Sequence, residues 1–125
     1  MQANPCDWTN EIIGAAIEVH RQIGPGLLES VYEECLCREL ESRGIPFVRQ
    51  AAFALRYKGV PVEGTLRVDL LVADSVVVEI KSLERVLPVH EAQVLTYLKA
   101  TGRKVGLLLN FNVARMADGL QRFVM

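Results

Sequence analysis

The sequence predicts an α/β fold in which a mixed four-stranded sheet is flanked by helices, in the order ααβββαβ. Three observations carry this. Two stretches within residues 1–45 repeat apolar side chains at helical spacing. From Phe47 the pattern changes to β-rich runs separated by turn residues. A last helical stretch, His90 to Thr101, is followed by Lys104 to Phe111, apolar almost throughout, as a strand covered on both faces would be. The chain has 125 residues, 50% of them hydrophobic, which suits one domain over 1–125 with its own core. No repeat, linker or low-complexity segment divides it.

The elements follow in order. Thr9 or Asn10 can cap a first helix, along which Ile13, Ala16, Ile17 and His20 recur at i, i+3, i+4 and i+7. Gly24-Pro25-Gly26 breaks it. Pro25 suits the first turn of a second helix, which runs to about Arg43 and is stopped by Gly44. Leu28, Val31, Cys35 and Leu36 are expected to form its buried side. Phe47 to Tyr57 reads as a strand, Lys58-Gly59 as a tight turn, and Val60 to Val72 as a second strand bent near Gly64. Ala73-Asp74-Ser75 turns into a third strand, Val76 to Leu83. Pro88 opens the third helix and Gly102 ends it. The tail, Val113 to Met125, is expected to start helical.

Charge and cysteine usage bound the setting. The net charge is −1, but residues 1–45 hold eight acids against three bases, and residues 46–125 hold seven acids against eleven bases. Either the basic part faces a polyanion while the acidic part faces away, or the asymmetry is scatter in a small protein. The three cysteines, Cys6, Cys35 and Cys37, are odd in number and lack a zinc-finger partner set, so they read as reduced thiols of a cytoplasmic protein. Met1 to Asn10 has no basic-then-apolar leader pattern, and no apolar run reaches the length of a membrane span.

Two strands carry charges where a core strand should not. Alternation in Val76-Val77-Val78-Glu79-Ile80-Lys81 places Val77, Glu79 and Lys81 on one face. In Leu66 to Val72 the even positions are apolar, and Arg67 and Asp69 share the other face. A three-residue turn pairs Val72 with Val76, which sets Asp69 opposite Glu79, with Cβ atoms roughly 4.5–5.5 Å apart. Two carboxylates that close repel, and one takes up a proton unless a cation sits between them. A hard divalent cation, Mg²⁺ or Mn²⁺, suits such a gap, since Mg²⁺ takes one or two carboxylates plus waters and phosphate oxygens. Lys81 can hold a phosphate oxygen or orient the attacking water, and the chemistry would be metal-assisted hydrolysis of a phosphodiester. The competing reading is a solvated sheet face with a weak surface ion pair.

The helices offer further candidates. Glu29, in the first turn of the second helix, is a possible additional metal ligand; its favourable place in the helix dipole is the plainer explanation. Glu33 and Glu34 look like ordinary solvated charges. Gln93 and Tyr97 lie four apart on the third helix and share a face with His90. Gln93 can bond the scissile phosphate or the attacking water, and Tyr97 can stack on a base or sugar; alternatively they are a polar first-turn residue and a half-buried tyrosine. His20, on an apolar stripe, reads as a hydrogen-bonded core histidine.

Gly26-Leu27-Leu28-Glu29-Ser30-Val31-Tyr32 fits the pattern G-x-x-E-x-x-Y. With Ile23 to Glu29, Arg67-Val68-Asp69, Glu79-Ile80-Lys81, Gln93 to Leu98 and Gly106 to Phe111, it resembles the GxxExxY family, placed in the PD-(D/E)XK nuclease superfamily. The resemblance runs from about Ile12 to Arg122. It implies a restriction-endonuclease-like PD-(D/E)XK core of a helix, three antiparallel strands, a helix and a fourth strand. It implies metal and catalytic roles for Asp69, Glu79 and Lys81, and supports Glu29 as the helix-borne acid. Gln93 and Tyr97 resemble the Q-x-x-x-Y element of RecB-like exonucleases, beside the substrate phosphate. Val68 departs from the small residue usual before the Asp.

The leading expectation is a Mg²⁺-dependent nuclease acting on DNA. Asp69, Glu79 and Glu29 would serve the metal, Lys81 the water or phosphate, Gln93 and Tyr97 the substrate, and Arg67 a backbone phosphate. The alternatives are a non-catalytic nucleic-acid-binding or accessory subunit, and a structural interaction protein. So small a domain leaves few residues for a separate recognition element, which favours a homodimer or a partner subunit.

Overall fold

The structure, a computed structural model, describes residues 5–125, with side chains from Trp8 onward. The expectation of no leader in Met1 to Asn10 therefore falls partly outside the described residues, as does the side chain of Cys6. Helices α1 (Pro5–Ile23) and α2 (Glu29–Ser42) lead into three antiparallel strands, β1 (Phe47–Tyr57), β2 (Val60–Val72) and β3 (Val76–Lys81). Helix α3 (Pro88–Thr101) crosses over to β4 (Val105–Asn110), which runs parallel to β3. A single 3₁₀ turn (Met116–Gly119) then leads to β5 (Leu120–Val124), antiparallel to β4. The sheet is mixed, in the order β1-β2-β3-β4-β5. No helix among the described residues is long and apolar enough to cross a membrane.

The sheet has five strands, not the expected four, and the order gains a final strand. The expected helical start of Val113 to Met125 shrinks to the 3₁₀ turn. A Cβ at Gly119 would collide with the Asn110 carbonyl, so the chain doubles back tightly there. Leu120 then packs on one side of the sheet and Phe123 on the other. Two such positions make too short an alternation to stand out in a sequence.

Two cores sandwich the sheet. Val76, Val78 and Ile80 of β3 and Leu107 and Leu109 of β4 face α1 and α2. Val77 and Leu108 face Val94 and Leu98 of α3. Gly106 lets α3 close on β4, because a Cβ there would lie 2.9 Å from Val94 Cγ1. Helices α1 and α2, which carry the eight acids of residues 1–45, are thus on the face opposite α3.

The turns match their sequence reading. Lys58 and Gly59, at φ +50° and +78°, close the β1–β2 hairpin between Tyr57 and Val60, as a two-residue turn matching strand twist requires. Near Gly64, at φ +108°, the strand is bent: the pairs Ala54↔Thr65 and Arg56↔Pro61 set two steps of β1 against four of β2.

Helix α2 departs from expectation at its start and in its phase. Pro25 lies in the preceding bend, and the helix begins only at Glu29, after Leu28. Its buried residues are Tyr32, Glu33, Leu36, Cys37 and Leu40; Leu28 is 73% exposed, Val31 is exposed and Cys35 is half-buried. Tyr32 dictates this phase. It is fully buried and stacks on Phe111 at 4.5 Å and 9°. Its hydroxyl donates to Gly24 O at 2.6 Å and accepts from Leu27 N–H at 3.1 Å, pinning the turn to the helix. Tyr32→Phe should leave both backbone groups without this partner and cost about 1–3 kcal/mol. Thermal unfolding would show this as a drop of several degrees; an unchanged melting temperature would contradict the role given to the hydroxyl. His20 is buried, and its Nε2 donates to Val113 O at 2.7 Å, as a core histidine should.

Candidate active site

Strands β2 and β3 pair in the register that the three-residue turn requires: Val72↔Val76, Leu71↔Val77 and Leu70↔Val78. At the next step, Asp69 against Glu79, side chains take over from the ladder. The Asp69 amide donates to Glu79 Oε2 and the Ile80 amide donates to Asp69 Oδ2, both at 2.8 Å. Each carboxylate satisfies a backbone donor of the other strand, so the strands part without leaving those amides unbonded.

Strand β1 helps to open this gap. Gln50 has φ +52° and sits between the pairs Arg49↔Leu70 and Ala51↔Val68. Alternation had placed Val68 with Leu70 and Val72. In the structure Leu70 and Val72 face α1 and α2, whereas Val68 and Ala51 join the α3-side core. The kink at Gln50 breaks the alternation beside Asp69, as irregular strand positions do where a side chain is re-aimed.

Glu79 is 3% exposed. Burial, and then the negative Asp69, push its carboxyl up to about 8; the Asp69 amide and Lys81 oppose this only in part. Asp69 is also held above the ordinary carboxylate range, by burial first, against the pull of the Ile80 amide. Beside the pair, Lys81 Nζ donates to Gln93 Oε1 at 3.1 Å, and Gln93 Nε2 donates to Tyr97 Oη at 2.9 Å. Burial raises the Tyr97 hydroxyl, and the charge of Glu79 adds to this. Four sequence-predicted residues of β3 and α3, Glu79, Lys81, Gln93 and Tyr97, therefore meet Asp69 in one place.

The second helix contributes a different acid from the one expected. Glu33 is buried, not solvated. Its Oε2 accepts from Arg49 Nε at 2.6 Å and its Oε1 from Gln50 Nε2 at 2.8 Å. The same Gln50 nitrogen lies 3.3 Å from Asp69 Oδ1. Glu33 also acts electrostatically on both carboxyls of the pair, raising each. Glu29 is exposed, one turn earlier on α2. Ser82 Oγ donates to Leu27 O at 2.6 Å, which sets the start of α2 beside the end of β3. Arg67 is exposed and donates through Nη1 to Gln50 O at 3.3 Å.

The sequence reading takes Glu33 as solvated, and it does not single out Gln50 or Asn110. Asn110 is buried at the end of β4, where its Oδ1 accepts from Leu83 N–H at 2.9 Å and its Nδ2 donates to Leu83 O at 3.0 Å. With Phe111 N–H donating to Lys81 O at 2.9 Å, it clamps the segment that carries Lys81. A polar residue closing the apolar run Val105 to Leu109 was the available signal.

Among the described residues no group of three His, Cys, Asp or Glu could hold a metal ion. The donor chemistry still fits a hard divalent cation, which takes one or two carboxylates and fills its other positions with water and phosphate. The buried Glu79 and half-buried Asp69 are such a donor set, and a cation would offset the charge of Asp69 that adds to burial in raising Glu79.

The family model of the PD-(D/E)XK nuclease superfamily matches residues 6–123. The chain belongs to this superfamily. Its α/β architecture and mixed sheet agree with a PD-(D/E)XK fold, and nucleases of this superfamily generally use divalent metal ions. No curated protein and no solved structure matches the chain.

Proposed function

We propose that the protein is a divalent-metal-dependent nuclease, using Mg²⁺ or Mn²⁺ to hydrolyse phosphodiester bonds of DNA. The observation that carries this is the carboxylate pair interlocked across parting strands, with the Lys81–Gln93–Tyr97 chain alongside. A bound cation would supply positive charge to the scissile phosphate and the attacking water. Asp69 and Glu79 would hold it, and Glu29 or Glu33 of α2 would support it. Lys81, already half-buried on its Gln93 partner, offers its ammonium to a phosphate oxygen or orients the water. Gln93 and Tyr97 position the substrate, and exposed Arg67 contacts a backbone phosphate. This reading includes the finer likeness to GxxExxY proteins and to the RecB-like Q-x-x-x-Y element. It further takes the chain to act in the cytoplasm as one domain, as a homodimer or with a partner subunit.

Calorimetric titration of Mg²⁺ and Mn²⁺ into the wild type, Asp69→Asn and Glu79→Gln tests the metal role. Amide variants keep an acceptor oxygen for the Asp69 and Ile80 backbone donors, so circular dichroism should show intact folds. Binding is expected in the wild type and lost in both variants, with a short DNA duplex present if the ion needs substrate oxygens. A wild type that binds neither cation even with DNA would favour the non-catalytic nucleic-acid-binding module instead.

A further inference from the structure

Residues 56–65, the tip of the β1–β2 hairpin, are exposed without exception, on both faces of the ribbon. Packing within the chain gives this projection no role. Its inner side and the second half of α3 enclose a groove of about 420 Å³, lined by Ala54, Leu55, Arg56, Thr96, Lys99 and Ala100. Each wall carries one cation, Arg56 on the hairpin and Lys99 on the helix, and no acid lines the groove. Five other arginines, Arg21, Arg38, Arg43, Arg49 and Arg103, are held in ion pairs. Among the described residues Arg56 and Lys99 have no such pair.

The groove adjoins a second cavity on the Lys81–Gln93 side of the candidate active site. Thr96 also lines this second cavity of about 370 Å³, which Lys81, His90 and Gln93 line as well. Helices α1 and α2, which carry the eight acids of residues 1–45, pack against the opposite face of the sheet. The α3 face therefore offers a polyanion Arg56 and Lys99 in the groove and Lys81 in the adjoining cavity.

We infer that the hairpin–α3 groove is the track for a DNA strand, with Arg56 and Lys99 neutralising phosphates on its way to the Asp69–Glu79 gap. The inference rests on the nuclease reading and adds to it the surface that holds the substrate. Contacts of this kind are made to the backbone and position it without reading sequence. They make binding steeply dependent on salt, by about one unit of log–log slope per phosphate neutralised.

The test is fluorescence anisotropy of a short labelled DNA, as duplex and as single strand, over a range of salt. The proteins compared are the wild type, Arg56→Glu/Lys99→Glu and the milder Arg56→Gln/Lys99→Gln. Both side chains are exposed, so circular dichroism and Mg²⁺ titration should match the wild type. The double reversal is expected to weaken binding about tenfold or more, and the glutamine pair to reduce the salt slope by about 2. Wild-type binding that neither pair alters would overturn the groove assignment and leave the nuclease reading standing. A wild type that binds neither form of DNA at low salt would overturn both.

Discussion

The metal-free protein is expected to lose stability as the pH rises from about 4.5 to about 8, and then to level off. In the unfolded chain Glu79 releases its proton near 4.5, whereas in the fold burial and Asp69 hold it to about 8. Between these values the unfolded state binds fewer protons than the native state, so each step up in pH favours unfolding. Below the window both states are protonated and the stability is fully present; above it both are ionised and the whole loss has been taken. The shift corresponds to about 3–5 kcal/mol, and Asp69, displaced in the same direction, adds to the trend. Thermal melts across the window, run on the wild type and on Glu79→Gln, would show it as a difference that the uncharged variant lacks. Saturating Mg²⁺ should recover much of the loss at the alkaline end, since a cation takes over the work of the proton. A wild-type profile parallel to that of Glu79→Gln would mean that the pair is not strained in this way.

The second large effect concerns Lys81. Replacement by Ala should lower cleavage by about 10²–10³-fold, the usual cost of removing a donor aimed at developing charge. Stability should hardly change, because the ammonium is only half-buried and bonds a side chain, Gln93, that can turn to water. The decisive comparison is single-turnover cleavage of labelled DNA alongside the melting temperature. Cleavage at the wild-type rate with Lys81 absent would remove this residue from the chemistry. Gln93 then offers a graded check, since its loss frees the lysine without removing the charge.

What was legible in the sequence follows from periodicity and turn chemistry. Lys58-Gly59 and Ala73-Asp74-Ser75 set the strand registers, and registers alone brought Asp69 to Glu79. The alternation of β3 placed Glu79 and Lys81 correctly with Val77, because nothing interrupts that strand. Alternation failed in β2, where the displacement of Val68 comes from a backbone kink at Gln50 on the neighbouring strand. Helical phase failed in α2 because apolar residues lie all round it, and only the contacts of Tyr32 with Phe111 and Gly24 decide which ones are buried. Glu33 came into the site with that rotation. The fifth strand was hidden because its single pairing, to β4, joins segments separated by the turn at Gly119.

The parting of β2 from β3 has an evolutionary consequence. The oxygens of Asp69 and Glu79 terminate a ladder as well as forming a charged pair. Asparagine and glutamine would keep the first duty and forfeit the second, whereas alanine would forfeit both and strand two amides. On the proposed nuclease function, a descendant that abandoned cleavage would therefore be under no pressure to keep acids here, yet would still be held to polar acceptors. In such a lineage, amides at these two positions would be a fossil of the lost chemistry, and alanines would mark a sheet that had found another way to end.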